Sequence, residues 1–250
     1  MVDFHGFELP IQYSSIRSEH LACREHAGLF DVSHMGLFTF EGTGVREWLS
    51  SVSTQNLSKF APGRCGYTHF LDNDGRIIDD MIFAVETDYR IHGVPNASMV
   101  EVMLNWLNPL LPDDASIRIT DRSRGTSILA LQGPSAPSIA SIAFGKDGYP
   151  GRFKCRNIPM NALGIEGWIQ GTGYTGEAGL EILVDDGDAN SHWNALLEAG
   201  REFGIVPLGL AASSGLTKAR RDQMQAQHKT QCKEPTERKH LLSLLLFTCI

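Results

Sequence analysis

This chain of 250 residues has no excess of basic charge, no paired cysteines and no long apolar run. Its net charge is −7 at neutral pH, which predicts no nucleic-acid partner, because phosphate recognition asks for a basic face. The five cysteines, Cys23, Cys65, Cys155, Cys232 and Cys249, are odd in number and lack a C-x-x-C spacing. They read as reduced thiols rather than a disulfide frame or a zinc site. His34 and His69 stand at no ligand spacing from another His or Cys, so no metal is expected. The apolar run Leu241–Ile250 is shorter than the roughly 20 residues that cross a bilayer, so no membrane partner is expected either. Asp3, His5 and Glu8 interrupt any signal-like opening, and no Arg-rich, acid-poor transit segment is seen. The expected location is the cytoplasm, or the mitochondrial matrix in a eukaryote.

What is present is an ordinary globular composition, 42% hydrophobic and 20% charged. The length suits one large domain or two closely packed ones. Helical periodicity covers Ile16–His26, Thr43–Val52 and Ser98–Leu110, the last stopped by Pro109 and Pro112, and a further helix is expected from Ser135. Strand-like stretches are Leu29–Val32, Gly36–Gly42, Tyr89–Val94, Ile117–Thr120, Ser127–Leu131 and Leu180–Val184. Gly66–Leu71 and Met81–Val85 bracket the turn Asp72-Asn-Asp-Gly75, a strong hairpin signal. Strands grouped in hairpins with helices between them predict an α+β fold of antiparallel sheets flanked by helices, not a doubly wound parallel sheet.

The segment Gly171-Thr-Gly-Tyr-Thr-Gly-Glu-Ala-Gly-Leu-Glu181 carries the most chemistry. Four glycines allow sharp turns and close approach to a ligand, and Tyr174, Glu177 and Glu181 are set into that backbone. A carboxylate fixed at a strand start can accept from the N–H groups of a flat heterocycle while Tyr174 packs on its face. A Gly-rich hairpin with solvated acids is the alternative reading. Asp79 and Asp80 follow the Asp74-Gly75 turn, and strand alternation lets only one of them face a given pocket. An acid pair that merely caps the hairpin is the competing explanation. On their own, Tyr67 reads as a packing aromatic and Asn96, after Pro95, as a turn residue. Ser33 and His34 suggest a nucleophile and base, but adjacent residues rarely converge on one atom, and the pair is read as structural.

Phe30-Asp-Val-Ser-His-Met-Gly36, Gly75-Arg-Ile-Ile-Asp-Asp-Met81, Ala130-Leu-Gln-Gly-Pro134 and the Gly-rich segment occur in that order, after the opening Met1-Val-Asp-Phe-His-Gly-Phe-Glu-Leu-Pro10. This ordered set resembles the aminomethyltransferase (T-protein) of the glycine cleavage system and its folate-dependent relatives, from about Met1 to Ala212. The resemblance implies an outer domain split over residues 1–34 and 126–212 and an inner domain over 35–125. It implies transfer of an aminomethyl group from the lipoyl arm of a carrier protein (H-protein) to tetrahydrofolate, with release of ammonia. It picks Asp80 as the acid at the reacting nitrogens, and Tyr67, Asn96, Tyr174 and Glu181 as residues that hold the pterin. Glu101, on the helix after Asn96, would reach the same cavity. Asp79 is left as the hairpin cap.

Beyond Ala212 the resemblance stops. Residues 1–212 carry a net charge of −11 and residues 213–250 one of +4. The family continues there with an Arg-Asp pair and a third, β-rich domain; this sequence has Ser213-Ser214 and is expected to lack that domain, with residues 213–250 as a poorly ordered tail. Three alternatives follow: folate-dependent demethylation of a methylated amine or sulfonium compound, a non-enzymatic folate-binding accessory protein, and an inactive truncated product. The accessory relatives carry a Lys-Gly-Cys-x-Gly-Gln-Glu motif that is absent here.

Overall fold

The computed structural model describes residues 1–4, 6–158 and 166–212. The chain opens with strands β1 (Val2–Phe4) and β2 (Phe7–Leu9), helix α1 (Ile16–Glu25), and strands β3 (Ala27–Asp31) and β4 (Phe38–Gly42). Helix α2 (Val45–Val52) leads to β5 (Arg64–Leu71), β6 (Ile77–Thr87) and β7 (Arg90–Pro95), then α3 (Val100–Leu107) and β8 (Ile117–Asp121). The remainder comprises β9 (Thr126–Gln132), α4 (Ala136–Phe144), β10 (Cys155–Ile158), β11 (Gly167–Gln170), β12 (Gly179–Asp185), α5 (Asp186–Ala199) and β13 (Ile205–Leu208). Among the described residues no helix is long and apolar enough to cross a membrane. The expectations for residues 213–250, including Ser213 in place of the family arginine, lie outside the described residues.

Two sheets organise these strands. One has five, in the order β5-β6-β7-β4-β8, all antiparallel; the other has six, in the order β10-β11-β12-β9-β3-β13. The six-stranded sheet is antiparallel except at its edge, where β13 runs parallel to β3. The fold is therefore α+β with antiparallel sheets flanked by helices, with that one parallel pair as the departure from the expected pattern.

Local chemistry explains the boundaries. Ser15 caps α1, its side chain accepting from the Ser18 N–H at 3.2 Å. Glu19 on α1 is buried because it ties three segments: it accepts from the N–H groups of Tyr13 (2.7 Å), Ser14 (2.7 Å) and Gly209 (2.9 Å). The β5–β6 turn uses Asp72, whose carboxylate accepts from the N–H of Asp74 at 2.9 Å and of Arg76 at 2.8 Å, while Gly75 takes φ +79°. The helix expected over Ser98–Leu110 is α-helical only at Val100–Leu107, with 3-10 turns at Ala97–Met99 and Asn108–Leu110, so Pro109 sits inside the closing turn. Strands β1, β2, β10, β11 and β13 and helix α5 were not anticipated.

Strand alternation sorts the side chains into layers. Phe38, Phe40, Met81 and Phe83 pack outward from the five-stranded sheet against Trp48 and Leu49 of α2 and Met103 and Leu107 of α3. Leu129, Leu131, Leu180 and Ile182 pack outward from the six-stranded sheet against Ala136 and Ile139 of α4 and Leu196 of α5. The inner faces meet through Cys65, Ile82 and Ala84 on one side and Ile128, Cys155, Trp168 and Leu183 on the other. Backbone bonds stitch this seam, from Cys65 N–H to Phe153 O at 2.9 Å and from Cys155 N–H to Gly63 O at 3.0 Å.

Candidate functional site

On the inner face of the five-stranded sheet, β5 pairs with β6 so that Tyr67 lies opposite Ile82 and His69 opposite Asp80. Tyr67 and Asp80 are half-buried. Tyr67 meets the buried His69 edge to face, ring centroids 4.7 Å apart at 80°. Burial lowers the His69 pKa, and the Asp80 carboxylate works against that shift.

The inner face of the six-stranded sheet answers with Glu181. On β12 it lies opposite Gln170 of β11 and is 2% exposed. It accepts from Gln170 Nε2 at 3.0 Å and, in a short hydrogen bond, from Thr172 Oγ1. Burial raises its pKa, and the two donors only partly offset this. Tyr174, in the loop before β12, is half-buried. Its phenol is pushed well up, first by burial, then by the charges of Glu181, Asp80 and the neighbouring Tyr67. Tyr67 and Asp80 thus stand on the inner face of one sheet and Glu181 on that of the other, with Tyr174 in the loop that leads into β12. Beside it lies a cavity of about 210 Å³ whose lining includes Ile82, Phe153, Thr172, Gly173 and Gly179.

The Gly-rich loop takes its shape from a residue 40 positions upstream of Thr172, Gln132. Gln132 is buried, donates to Thr172 O at 3.0 Å and accepts from Thr175 Oγ1 at 2.7 Å. A Cβ on Gly173 would stand 2.3 Å from Gln132 Nε2, and one on Gly179 2.4 Å. Those glycines make room for the glutamine, so two of the sequence motifs are one packing unit. Glu177 is an anchor, paired with Arg24 of α1 at 2.5 Å, rather than a solvated acid.

The acid pair differs from expectation. Asp80 shares the inner face with Tyr67, but Asp79 does not cap the hairpin, a task that Asp72 performs. Asp79 is 5% exposed, and burial raises its pKa, with its bond to Asn96 opposing. Asn96 Nδ2 donates to Asp79 Oδ1 at 2.7 Å and to Asp80 Oδ1 at 3.1 Å, so the amide joins both acids. Glu101 is exposed on the first turn of α3 and lines neither this group's cavity nor the one beside Glu181. Ser33 is structural: its hydroxyl donates to Asp31 Oδ1 at 2.6 Å and accepts from the Ile128 N–H at 3.1 Å. His34 packs edge-on against Phe4, centroids 5.2 Å apart. Sequence reasoning missed Gln132, Gln170 and Thr172. Gln132 and Thr172 had a signal, their places in two of the motifs, and Gln170 had none.

A family model described as the GCVT N-terminal domain matches residues 1–220. The aminomethyltransferase of Chloroherpeton thalassium is 37% identical over 227 residues, covering 86% of this chain and 59% of the relative. That of Chlorobium phaeovibrioides is 41% identical over 224 residues, with the same shares. The chain thus spans 59% of the length of these curated relatives. The solved structure of glycine cleavage system aminomethyltransferase T from Bartonella henselae superposes with a TM-score of 0.75 at 30% identity, over 86% of this chain and 57% of that one. A chain of heterotetrameric sarcosine oxidase from Corynebacterium sp. U-96 shares the fold at a TM-score of 0.55 and 16% identity, over 76% of this chain and 93% of that one.

Proposed function

The chain belongs to the GCVT N-terminal domain family, and on that premise we propose that it serves tetrahydrofolate-dependent aminomethyl transfer of the glycine cleavage type. The reaction takes an aminomethyl group from the lipoyl arm of a carrier protein, the H-protein, to tetrahydrofolate and releases ammonia. One observation carries this reading: Glu181, buried on the six-stranded sheet with donors from Gln170 and Thr172, lies at the seam with the sheet whose inner face carries Tyr67 and Asp80.

A pterin suits that set. Glu181 is a buried acceptor whose donors among the described residues are neutral, so a flat ring offering N–H groups would relieve its desolvation. Tyr67 and Tyr174 offer aromatic walls for the ring. Tetrahydrofolate, when bound, supplies the amine nucleophile. Asn96 holds Asp80 Oδ1, which leaves Oδ2 to take a proton from an amine and to stabilise positive charge on a neighbouring nitrogen. The amide nitrogen of Asn96 is committed to the acids, so its contact with a ligand would come through the amide oxygen. The cytoplasm fits the free, buried thiols of Cys23, Cys65 and Cys155.

Calorimetric titration of the full chain with tetrahydrofolate tests the reading. We expect saturable heat, and no heat at millimolar ligand overturns it.

A further inference from the structure

Around Asp79 and Asn96 lies a second cavity of about 350 Å³. Phe4, His34, Met35, Asp79, Asn96 and Met99 are among its walls. Asp79 presents it with a problem. Oδ1 accepts from Asn96, but Oδ2 is buried with no hydrogen-bond partner among the described residues. An oxygen left this way costs free energy unless a proton or a donor reaches it. Among the described residues the groups that act on Asp79 are Asn96, the backbone at residues 80 and 96, and the like charge of Asp80, none of them a cationic side chain.

A donor serves that oxygen as a proton would, and two adjacent carboxylates favour a donor with positive charge. Anions are excluded by the same charges. The remaining walls select further. Phe4 and the thioethers of Met35 and Met99 offer polarisable surface that favours a weakly hydrated nitrogen cation over a strongly hydrated metal ion. We propose that this cavity binds a small protonated amine, ammonium or an alkylammonium, on the free oxygen of Asp79. The identity of the amine rests on the proposed reaction, which releases ammonia. Asn96 Nδ2 joins Asp79 Oδ1 to Asp80 Oδ1, so the amine site and the acid at the reacting nitrogens hang on one amide.

The probes are ammonium and methylammonium chloride, with sodium and potassium chloride at equal ionic strength as references. In the full chain, residue-assigned carboxyl NMR separates Asp79 from Asp80 and from His34, the other titratable group on the cavity wall. We expect the raised Asp79 pKa in sodium chloride to fall when ammonium replaces sodium. We also expect a saturable rise in Tm with either amine, and both responses should vanish in Asp79→Asn. No shift of Asp79, or an equal shift in potassium, overturns the proposal. If Asp79→Asn does not fold, the titration of the unsubstituted chain decides alone. Tetrahydrofolate heat measured in the same preparation keeps the two ideas apart: heat without an ammonium response sinks only the amine site, and loss of both sinks the reading beneath it.

Discussion

Along β6, Met81, Phe83 and Val85 point into a core shared with Phe38, Phe40 and Phe70, while Asp80, Ile82 and Ala84 point into the seam with the six-stranded sheet. The outer face is apolar along Met81, Phe83 and Val85, and Phe83 makes edge-to-face contacts with Phe40 at 5.6 Å and Phe70 at 6.0 Å. The inner face is mixed. Ile82, Ala84, Cys65 and Trp168 close its middle, but Tyr67, Asp80, Gln170 and Glu181 interrupt it with polar groups, and burial pushes the Glu181 carboxyl up. One strand thus holds the sheet to its helices with one set of side chains and offers chemistry with the other. A desolvated Glu181 can be tolerated on the inner face because the outer face supplies the stability.

The largest test of that contrast is Phe83→Ala. Truncating a fully buried Phe should cost about 3–5 kcal/mol in urea unfolding, with tetrahydrofolate affinity of the folded fraction unchanged. A cost below about 1 kcal/mol would mean the outer face is not the anchor. Asp80→Asn should do the reverse, lowering aminomethyl transfer by about 10²–10⁴-fold with little change in unfolding. A stability loss matching that of Phe83→Ala, with transfer intact, would move Asp80 into the core's ledger instead.

Glu181→Gln sharpens the point on the facing sheet. Removing the charge should weaken tetrahydrofolate by about 10- to 100-fold, from about 1.5–3 kcal/mol for a charge-assisted bond. Its burden on the fold has the opposite sign. A carboxyl whose pKa is raised on folding stabilises the fold below its ordinary value of 4.5, and that contribution is lost as pH rises towards the folded value. At neutral pH the Gln variant should therefore unfold no more easily than the parent, as thermal scans can check. A clear drop in Tm at pH 7 would show that Gln170 and Thr172 need the charge.

Much of this was legible because it is local. Helix α1 was read as Ile16–His26 and runs Ile16–Glu25, since its cap at Ser15 and its periodicity lie within a few residues. The β5–β6 hairpin announced itself through Asp72-Asn-Asp-Gly75. Strands β10, β11 and β13 were not legible: each has four residues and owes its conformation to partners elsewhere in the chain. Helix α5 opens Asp186-Gly187-Asp188, which reads as a turn, and draws its support from β9 and α4. For the site, alternation was enough to separate Asp79 from Asp80, but it could not say what each would meet. The surroundings of Asp79 come from Phe4 and Asn96, far away in sequence, so a hairpin cap was the wrong local inference. The same distance hid the fit of Gln132 between Gly173 and Gly179.

The smallest effect belongs to Asp79, the one acid on the side of β6 that also carries Met81, Phe83 and Val85. Its pKa is raised above the ordinary 3.8, chiefly by burial, with Asp80 adding to the rise and Asn96 opposing it. The folded state then binds a proton more tightly than the unfolded chain does. Stability attributable to this group is complete below about pH 3.8 and declines as pH climbs through the raised folded value. Asn in its place can still accept from Asn96 but has no proton to lose. In ammonium-free buffer, the stability of Asp79→Asn relative to the parent should therefore improve steadily from acid to neutral pH, even if its new NH₂ group makes the variant weaker at the acid end. Urea midpoints at a series of pH values read that slope directly. A flat difference would mean that Asp79 is as solvated in the fold as out of it, and the contrast between the two faces of β6 would lose its one exception.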